Sequence, residues 1–190
     1  MKPISKQQLI DVHQGARYLL GCQIVRQLED GTQLRAKIVE VESYHQEDPA
    51  SHTFRGKSAR NEAMFGPAAH AYVYFTYGMH WCFNVTAGPD GYGAGILIRA
   101  VEPIKGVKTM KQAREVVEIK QLTNGPAKLA QALQIDKQLY GHDLTKPPLQ
   151  IFELDKRDFA ITQTTRIGIS QAVEEIARYY ITDNPFVSKK

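Results

Sequence analysis

The hydrophobic and polar positions of the chain change period along its length, and each period predicts a different element. Apolar residues recur at helical spacing over residues 7–20, and Gly21 follows as a helix stop. Residues 34–44 alternate with a period of two, which is typical of a strand. Residues 46–61 are polar and predict a loop. The chain therefore starts as a predicted helix, strand and loop.

The middle of the chain predicts a β-hairpin and a further strand. Residues 71–76 and 80–86 are dense in aromatic and β-branched side chains, and Gly78 between them predicts the tip of a hairpin. Residues 95–101 predict another strand, which we expect Pro103 to end.

The second half of the sequence predicts shorter elements. Two helices, two short strands and one segment that fits either type are predicted at 107–119, 124–133, 149–154, 166–169 and 173–180. Pro126 stands at the favoured first position of the second of these helices. Helices and strands alternate without a βαβ rhythm. The predicted fold is therefore α+β: a single compact domain over residues 1–190, with a curved, largely antiparallel sheet, peripheral helices and a protruding β-hairpin.

Composition is compatible with such a domain. The chain has 190 residues, of which 43% are hydrophobic and 23% charged, a size that suits one core. No apolar run approaches the roughly 20 residues of a membrane helix, and the N-terminus shows no apolar signal region. We expect a cytoplasmic protein without a membrane partner.

The cysteines and histidines predict neither a metal nor a cofactor. Cys22 and Cys82 are far apart in the sequence and predict two buried, reduced thiols. The six histidines form neither an HExxH motif nor a cluster with the cysteines.

The charge of the chain is mildly basic. Its formal net charge is +4 and its pI is near 9.0, which is compatible with a polyanionic partner. Basic residues concentrate at 55–60 and at 99–114. The second group fits a solvated helix face as well as it fits a contact with nucleic acid.

Two carboxylates on one strand are the first candidate for chemistry. Glu40 and Glu42 fall on one face of the 34–44 strand, about 6–7 Å apart. The strict alternation assigns Ile38, Glu40, Glu42 and Tyr44 to this face and Lys37, Val39, Val41 and Ser43 to the other. Carboxylates on an apolar strand are either functional or paired with arginines. As a functional pair, they would suit cleavage at an anomeric carbon.

The aromatic hairpin is the second candidate. Tyr77 stands beside the tip glycine, where a large side chain is hard to bury, and with Met79 it could form a wedge between bases. Tyr72 and Tyr74 share a face and could stack on an unpaired base. Asn84 could contact a base edge or could simply satisfy the backbone.

Together these segments resemble the alkyladenine (3-methyladenine) DNA glycosylase family of the bacterial type without a helix-hairpin-helix motif. The matching segments run in order along nearly the whole chain: VEVESY at 39–44, ASH at 50–52, ARNEAMF at 59–65, YVYFTYGM at 72–79, ILIRAVEP at 96–103, NGPAKL at 124–129 and RIG at 166–168. The chain departs from many relatives at His80 and Trp81. It also lacks the long N-terminal extension of eukaryotic relatives, so we expect a bacterial protein.

The resemblance implies a role for each matching residue. Glu42 would be the general base that activates water. A base pocket would be formed by Tyr44, His52, Tyr74, Asn84 and Arg99. Asn84 would exclude the exocyclic amino group of guanine, and Arg99 would hold a phosphate or the pocket wall. Tyr77 would fill the hole left by the flipped base, with Met79, Arg60 and Lys128 as further DNA contacts; an ordinary helix start explains Lys128 as well.

The implied activity is that of a monofunctional DNA glycosylase. It would flip alkylated or deaminated purines out of duplex DNA and hydrolyse the N-glycosidic bond, leaving an abasic site as the first product of base excision repair. Damaged double-stranded DNA would be the partner of a monomeric protein. Two other hypotheses remain open: a nucleosidase or small-sugar glycosidase that uses both carboxylates, and a non-catalytic DNA-binding module. The preferred lesion, any general acid and the role of Glu40 are not predicted.

Overall fold

The computed structural model describes residues 1–76, 78–153 and 158–188. Within these residues the chain forms helices and strands in the order α1 (Val12–Leu19), β1 (Gln23–Gln27), β2 (Gln33–Tyr44), β3 (Ala71–Thr76), β4 (His80–Thr86), β5 (Gly95–Lys105), α2 (Val107–Arg114), α3 (Pro126–Ala132), β6 (Leu149–Phe152), β7 (Ile161–Thr164) and β8 (Arg178–Ile181). Short 3₁₀ turns lie at Lys6–Leu9, Glu62–Phe65, Ile119–Gln121 and Lys137–Leu139.

The strands form one curled sheet around the long strand β2. The order is β3-β4-β5-β2-β1-β6, and β8 pairs with both β2 and β7. On one side β2 pairs with β5, whereas on the other its first half pairs with β1 and its second half with β8. All of these described pairings are antiparallel. The predicted α+β class with a largely antiparallel sheet is confirmed.

A pair of compensating bulges interrupts β2 and β5 next to the two carboxylates. In the β2–β5 register Ile38 lies opposite Val101 and Glu40 opposite Ala100, so Val39 is an extra residue on β2. One step further Val41 lies opposite Ile98, so Arg99 is an extra residue on β5. Bulges re-aim side chains and are frequent beside active sites.

The bulge overturns the strict alternation predicted for β2. The core residues of β2 are Leu34, Ala36, Ile38, Val39 and Val41, so the inward positions change from even to odd numbers at the bulge. Ile38 therefore lies in the core rather than on the face of Glu40 and Glu42, while Lys37 leaves the face of Val39 and pairs with Glu102. The shared face of the two glutamates is retained.

Helix α1 begins later than predicted. The Asp11 carboxylate accepts hydrogen bonds from the backbone N–H groups of His13 and Gln14, at 2.9 and 2.8 Å, and so caps a helix that starts at Val12. The predicted helix over 7–20 is thus divided into a 3₁₀ turn and a shorter α-helix. Gly15 lets α1 approach the sheet closely, because a Cβ there would lie 3.1 Å from Ile96 Cδ1.

Two further boundaries differ from the prediction. Strand β5 continues through Pro103 to Lys105, because β4 pairs only with residues 95–97 and leaves that side of β5 open where the proline lacks an N–H. Helix α2 ends at Arg114, since Glu115 adopts a left-handed conformation with φ of 53°. The predicted helix over 107–119 is therefore too long, and Val117, which lies beyond the end of α2, is 87% exposed.

The last third of the chain is partly as predicted. Helix α3 begins with Pro126 as expected, and β6 lies in the predicted 149–154 segment, whose residue 154 lies outside the described residues. The predicted strand at 166–169 is wrong: the nearby strand is β7, and residues 166–169 form an irregular segment over the sheet end. The ambiguous segment at 173–180 ends in a strand, β8.

The hairpin and the thiols follow the prediction. Strands β3 and β4 pair from Ala71–Val85 to Thr76–His80, and Gly78 has a positive φ of 66° at the tip. Cys22 and Cys82 are both buried. Among the described helices, none combines the length and apolar character that crossing a membrane requires.

Candidate active site

A cavity of about 480 Å³ opens where β2, β3, β4 and β5 come together. Its wall contains Glu42, Tyr44, Pro49, Ala50, His52, Arg60, Met64, Tyr72, Tyr74, Thr76, Cys82, Asn84, Leu97, Arg99, Pro126 and residues 167–171. A volume of this size is typical of a site for a small organic group. Six predicted pocket residues share this cavity: Glu42, Tyr44, His52, Tyr74, Asn84 and Arg99.

The Glu42 carboxylate is fixed by three donors in the cavity wall. Oε2 accepts from the Tyr44 hydroxyl at 2.8 Å and from Arg99 Nη1 at 3.2 Å. Oε1 accepts from the backbone N–H of Ile167 at 2.8 Å. A fully buried carboxylate needs such partners to offset its desolvation. The position of Glu42 is therefore strongly determined.

Arg99 connects Glu42 to the second carboxylate. Its Nε donates to Glu40 Oε1 at 3.0 Å, so one guanidinium bridges both glutamates. Glu40 also accepts from Arg178 Nη1 at 2.9 Å and from the backbone N–H and hydroxyl of Ser188 at 2.6 and 2.9 Å. Burial lowers the pKa of Arg99, but the charges of Glu42 and Glu40 outweigh it, so the pKa lies above its ordinary value. Glu40 is a buried anchor for Arg99, and it does not line the cavity.

Aromatic rings form one wall of the cavity. Tyr72 and Tyr74 stack with ring centroids 5.4 Å apart, and the His52 ring meets Tyr74 edge-on at 4.6 Å. His52 Nδ1 lies 2.9 Å from the Tyr72 hydroxyl. Burial and then the charge of Arg60 lower the pKa of His52, so its ring is uncharged at neutral pH. This wall is electron-rich and carries no positive charge of its own.

Tyr44 is held between an arginine and the catalytic candidate. Its hydroxyl donates to Glu42, and the Arg166 guanidinium lies 4.6 Å from its ring centroid. Arg166 donates to both carboxylate oxygens of Asp48 and to Glu175 Oε2 at 2.9 Å. Burial, followed by the charge of Glu42, raises the pKa of Tyr44, so the phenol remains a donor.

Asn84 lies directly opposite Tyr72 across the hairpin and is almost completely buried. Its Nδ2 donates to the Tyr72 carbonyl oxygen at 3.1 Å. The side chain therefore satisfies a backbone acceptor and also lines the cavity.

The residues predicted to contact DNA are more scattered. Arg60 lines the cavity, with its guanidinium 5.8 Å from the Tyr74 ring centroid, and Met79 at the hairpin tip is 68% exposed. Tyr77 lies outside the described residues. Lys128 lies outside the described cavity lining and donates to Asn124 Oδ1 at 2.8 Å, at the start of α3. Its contact with DNA stays a prediction.

Several residues of the site were not predicted from the sequence. The backbone N–H of Ile167 and the Asp48–Arg166 pair are the most important, and residues 168–171 and Cys82 complete the lining. The RIG segment was noted as part of the resemblance, but no role was given to it. Arg166 and Asp48 are 118 residues apart, so their pairing produces no local pattern in the sequence.

The sequence of this chain matches a described protein family. The family model described as methylpurine-DNA glycosylase matches residues 6–185. A protein of Carboxydothermus hydrogenoformans is 49% identical over 177 residues, which cover 92% of each chain. A protein of Agrobacterium fabrum is 47% identical over 153 residues, covering 80% of this chain and 77% of the relative. One of Methanoculleus marisnigri is 43% identical over 181 residues, again 92% of each chain. Each of these relatives bears the name "Putative 3-methyladenine DNA glycosylase".

Proposed function

We propose that this chain, which belongs to the methylpurine-DNA glycosylase family and is therefore a DNA glycosylase, hydrolyses the N-glycosidic bond of alkylated or deaminated purines flipped out of duplex DNA. The products are the free base and an abasic site. The observation that carries the proposal is the Glu42 carboxylate, held by three donors in the wall of an aromatic cavity.

The proposed reaction needs one water molecule and one base. Water attacks C1′ of the flipped nucleotide and forms the new C–O bond, while the bond from C1′ to the purine nitrogen breaks and the purine takes its electron pair. Glu42 accepts the proton of the water, and its negative charge stabilises the oxocarbenium character at C1′. A cationic alkylpurine leaves as a neutral base, so no acid is required. Neutral lesions require a proton on the leaving base, and no residue is assigned to that step.

The aromatic wall supports a cationic purine as substrate. Positively charged rings are attracted to the faces of tyrosines, and Tyr72, Tyr74 and Tyr44 offer such faces around the cavity. An uncharged His52 completes the wall without repelling the base. Undamaged purines are neutral and gain less from this wall, which favours release of alkylated ones.

We also propose that the protein acts as a monomer in the cytoplasm of a bacterial cell. The cavity lining described above comes from one chain, so no second copy is needed to complete it. Light scattering of the purified protein, alone and with duplex DNA, measures the oligomeric state.

The first prediction concerns Glu42. Glu42→Gln keeps the side-chain shape but removes the proton acceptor, so we expect the release of methylated purines from methylated duplex DNA to fall by about 10²-fold or more. Binding to lesion-containing duplex should change by only a few fold. Base release is measured by chromatography, with a melting curve to establish that the variant is folded.

The matched control neutralises a carboxylate far from the cavity. Glu29 is exposed in the turn between β1 and β2, at the opposite end of β2 from Glu42, and Glu29→Gln should release bases at the wild-type rate. Excision by folded Glu42→Gln at the wild-type rate would exclude Glu42 as the base. Equal turnover of free methylated nucleosides would instead indicate a nucleosidase, and salt-sensitive DNA binding without release would indicate a binding module.

A further inference from the structure

Three side chains outside the described cavity lining meet behind Tyr44. His13 lies in α1, His45 directly follows β2, and Glu175 precedes β8. One ligand atom from each lies within 4.8 Å of those of the other two, and all three residues are half-buried. His45 Nε2 is 3.6 Å from Glu175 Oε1, and the two imidazole ring centroids are 5.8 Å apart.

Both histidines have their hydrogen-bond partners at Nδ1, which leaves Nε2 to face the centre of the cluster. Ser43 Oγ lies 2.9 Å from His13 Nδ1, and the Tyr179 hydroxyl lies 3.2 Å from the same nitrogen. His45 Nδ1 lies 3.2 Å from the Glu47 carboxylate, which can only accept. Metal-binding histidines show this arrangement, with one ring nitrogen on a polar neighbour and the other on the ion.

The contact between His45 and Glu175 supports a cation at this point. His45 Nε2 and Glu175 Oε1 face each other at 3.6 Å, which is longer than a hydrogen bond, so both atoms can turn towards an ion. Glu175 Oε2 is already bound by Arg166, so Oε1 is the oxygen that remains for an ion.

We propose that His13, His45 and Glu175 bind a divalent transition metal ion of the zinc type, with solvent as the fourth ligand. Two imidazoles and one carboxylate are the donors that such ions accept, whereas calcium and magnesium prefer oxygen. Ligand atoms around tetrahedral zinc lie about 3.3 Å apart, as follows from bonds of about 2.0–2.1 Å. The longest separation between ligand atoms must therefore shorten by up to about 1.5 Å, which partly exposed side chains can do by rotation.

The proposed ion would connect three elements that support the cavity. It would join α1, the end of β2 and the segment before β8, and Glu175 would link it through Arg166 to Tyr44. The three ligands are 32 and 130 residues apart in sequence, which is why the histidine spacing predicted no metal. This proposal stands independently of the proposed function.

The test uses the full chain, freed of metal with a chelator, and Zn²⁺ and Co²⁺ as probes without DNA. We expect calorimetry to detect one equivalent of bound Zn²⁺ and the melting temperature to rise with Zn²⁺. Co²⁺ should give visible absorption bands of a low-coordinate site. His45→Asn and His13→Asn should each weaken Zn²⁺ binding at least about tenfold.

The matched control is His80→Asn, which removes an exposed histidine of the hairpin and should leave Zn²⁺ binding unchanged. Melting curves without metal establish that each variant is folded. Absence of Zn²⁺ binding to the wild type at millimolar concentration would overturn the proposal and assign a proton to the His45–Glu175 pair. Equal binding by wild type and both folded cluster variants would place the ion elsewhere and also overturn it.

Discussion

At the scale of single residues, Asn84 both contacts the backbone of Tyr72 and lines the cavity. Its amide nitrogen is engaged by the Tyr72 carbonyl, and the side chain forms part of the cavity wall. The family resemblance implies that this side chain blocks the exocyclic amino group of guanine. The observed hydrogen bond gives that role a physical basis, because it prevents the amide from rotating out of the way.

The second prediction is a gain of activity. Asn84→Ser shortens the side chain, so we expect the variant to release guanine from a G·T mismatch, where flipping costs least, while the wild type does not. Loss of the hydrogen bond to Tyr72 should also cost about 1–3 kcal/mol of folding free energy. Guanine release and the melting temperature are measured on the same preparation.

The volume-matched control is Asn84→Asp, which removes the amide donor but creates no space. It should lose stability without releasing guanine. If Asn84→Ser is destabilised but keeps the base preference of the wild type, the side chain serves only the backbone and the steric role is excluded.

At the scale of elements, period-two and helical patterns predicted most of the fold. The hairpin of β3 and β4 and the start of α3 are confirmed, because their signals are local: β-branched and aromatic runs around a glycine, and a proline at the first helical turn. The predicted single helix over 7–20 failed at its start, because the side chain of Asp11 caps α1 within the apolar pattern. The sequence predicted a strand at 166–169 because its apolar residues resemble one. In the structure this segment is irregular, and the backbone N–H of Ile167 donates to Glu42.

The bulges in β2 and β5 are a feature of the site that the hydrophobic pattern of the sequence did not predict. A strict alternation correctly paired Glu40 with Glu42 but placed Ile38 on the same face. Because Val39 and Arg99 are extra residues, the core positions of β2 change from even to odd numbers. Both glutamate carboxylates still contact the guanidinium of Arg99. Such a compensation between two strands depends on their register and is not encoded in either strand alone.

The third prediction belongs to the hairpin as an element. The tip is formed around Gly78 and exposes Met79, as expected for a wedge, and Tyr77 directly precedes Gly78 in the sequence. Tyr77→Ala should therefore reduce base release from a lesion in intact duplex by about tenfold, which corresponds to about 1.4 kcal/mol of the few kcal/mol that flipping requires. A lesion in single-stranded DNA should be much less affected, because no stack has to be opened. Single-turnover rates on both substrates provide the comparison.

Phe75→Ala is the matched control, since Phe75 is an exposed aromatic residue of the same hairpin that is paired with Trp81 within the strands. It should change both rates equally. Equal losses on duplex and single strand for Tyr77→Ala would show that the residue supports the fold rather than the open duplex.

At the scale of the whole molecule, Glu40 joins parts of the chain that are distant in sequence. Its carboxylate binds Arg99 of β5, Arg178 of β8 and Ser188 near the C-terminus. With Glu42, two buried negative charges are balanced by Arg99 and Arg178. A buried charge that loses a partner is strongly unfavourable. The C-terminal segment therefore helps to hold Arg99, and through it Glu42, in place.

The last prediction tests whether Ser188 helps to hold Glu40 in place. Ser188→Ala removes the hydroxyl that donates to Glu40 at 2.9 Å but keeps the backbone N–H bond. A hydrogen bond to a charged group is worth about 1.5–3 kcal/mol, and a chain of this size changes its melting temperature by about 2–4 °C per kcal/mol. We therefore expect the melting temperature to fall by roughly 3–12 °C, by calorimetry. Ser188→Thr retains a hydroxyl and should melt close to the wild type. If Ser188→Ala melts with the wild type, the hydroxyl does not stabilise Glu40, and the backbone N–H of Ser188 is the contact that remains between Glu40 and the C-terminal segment.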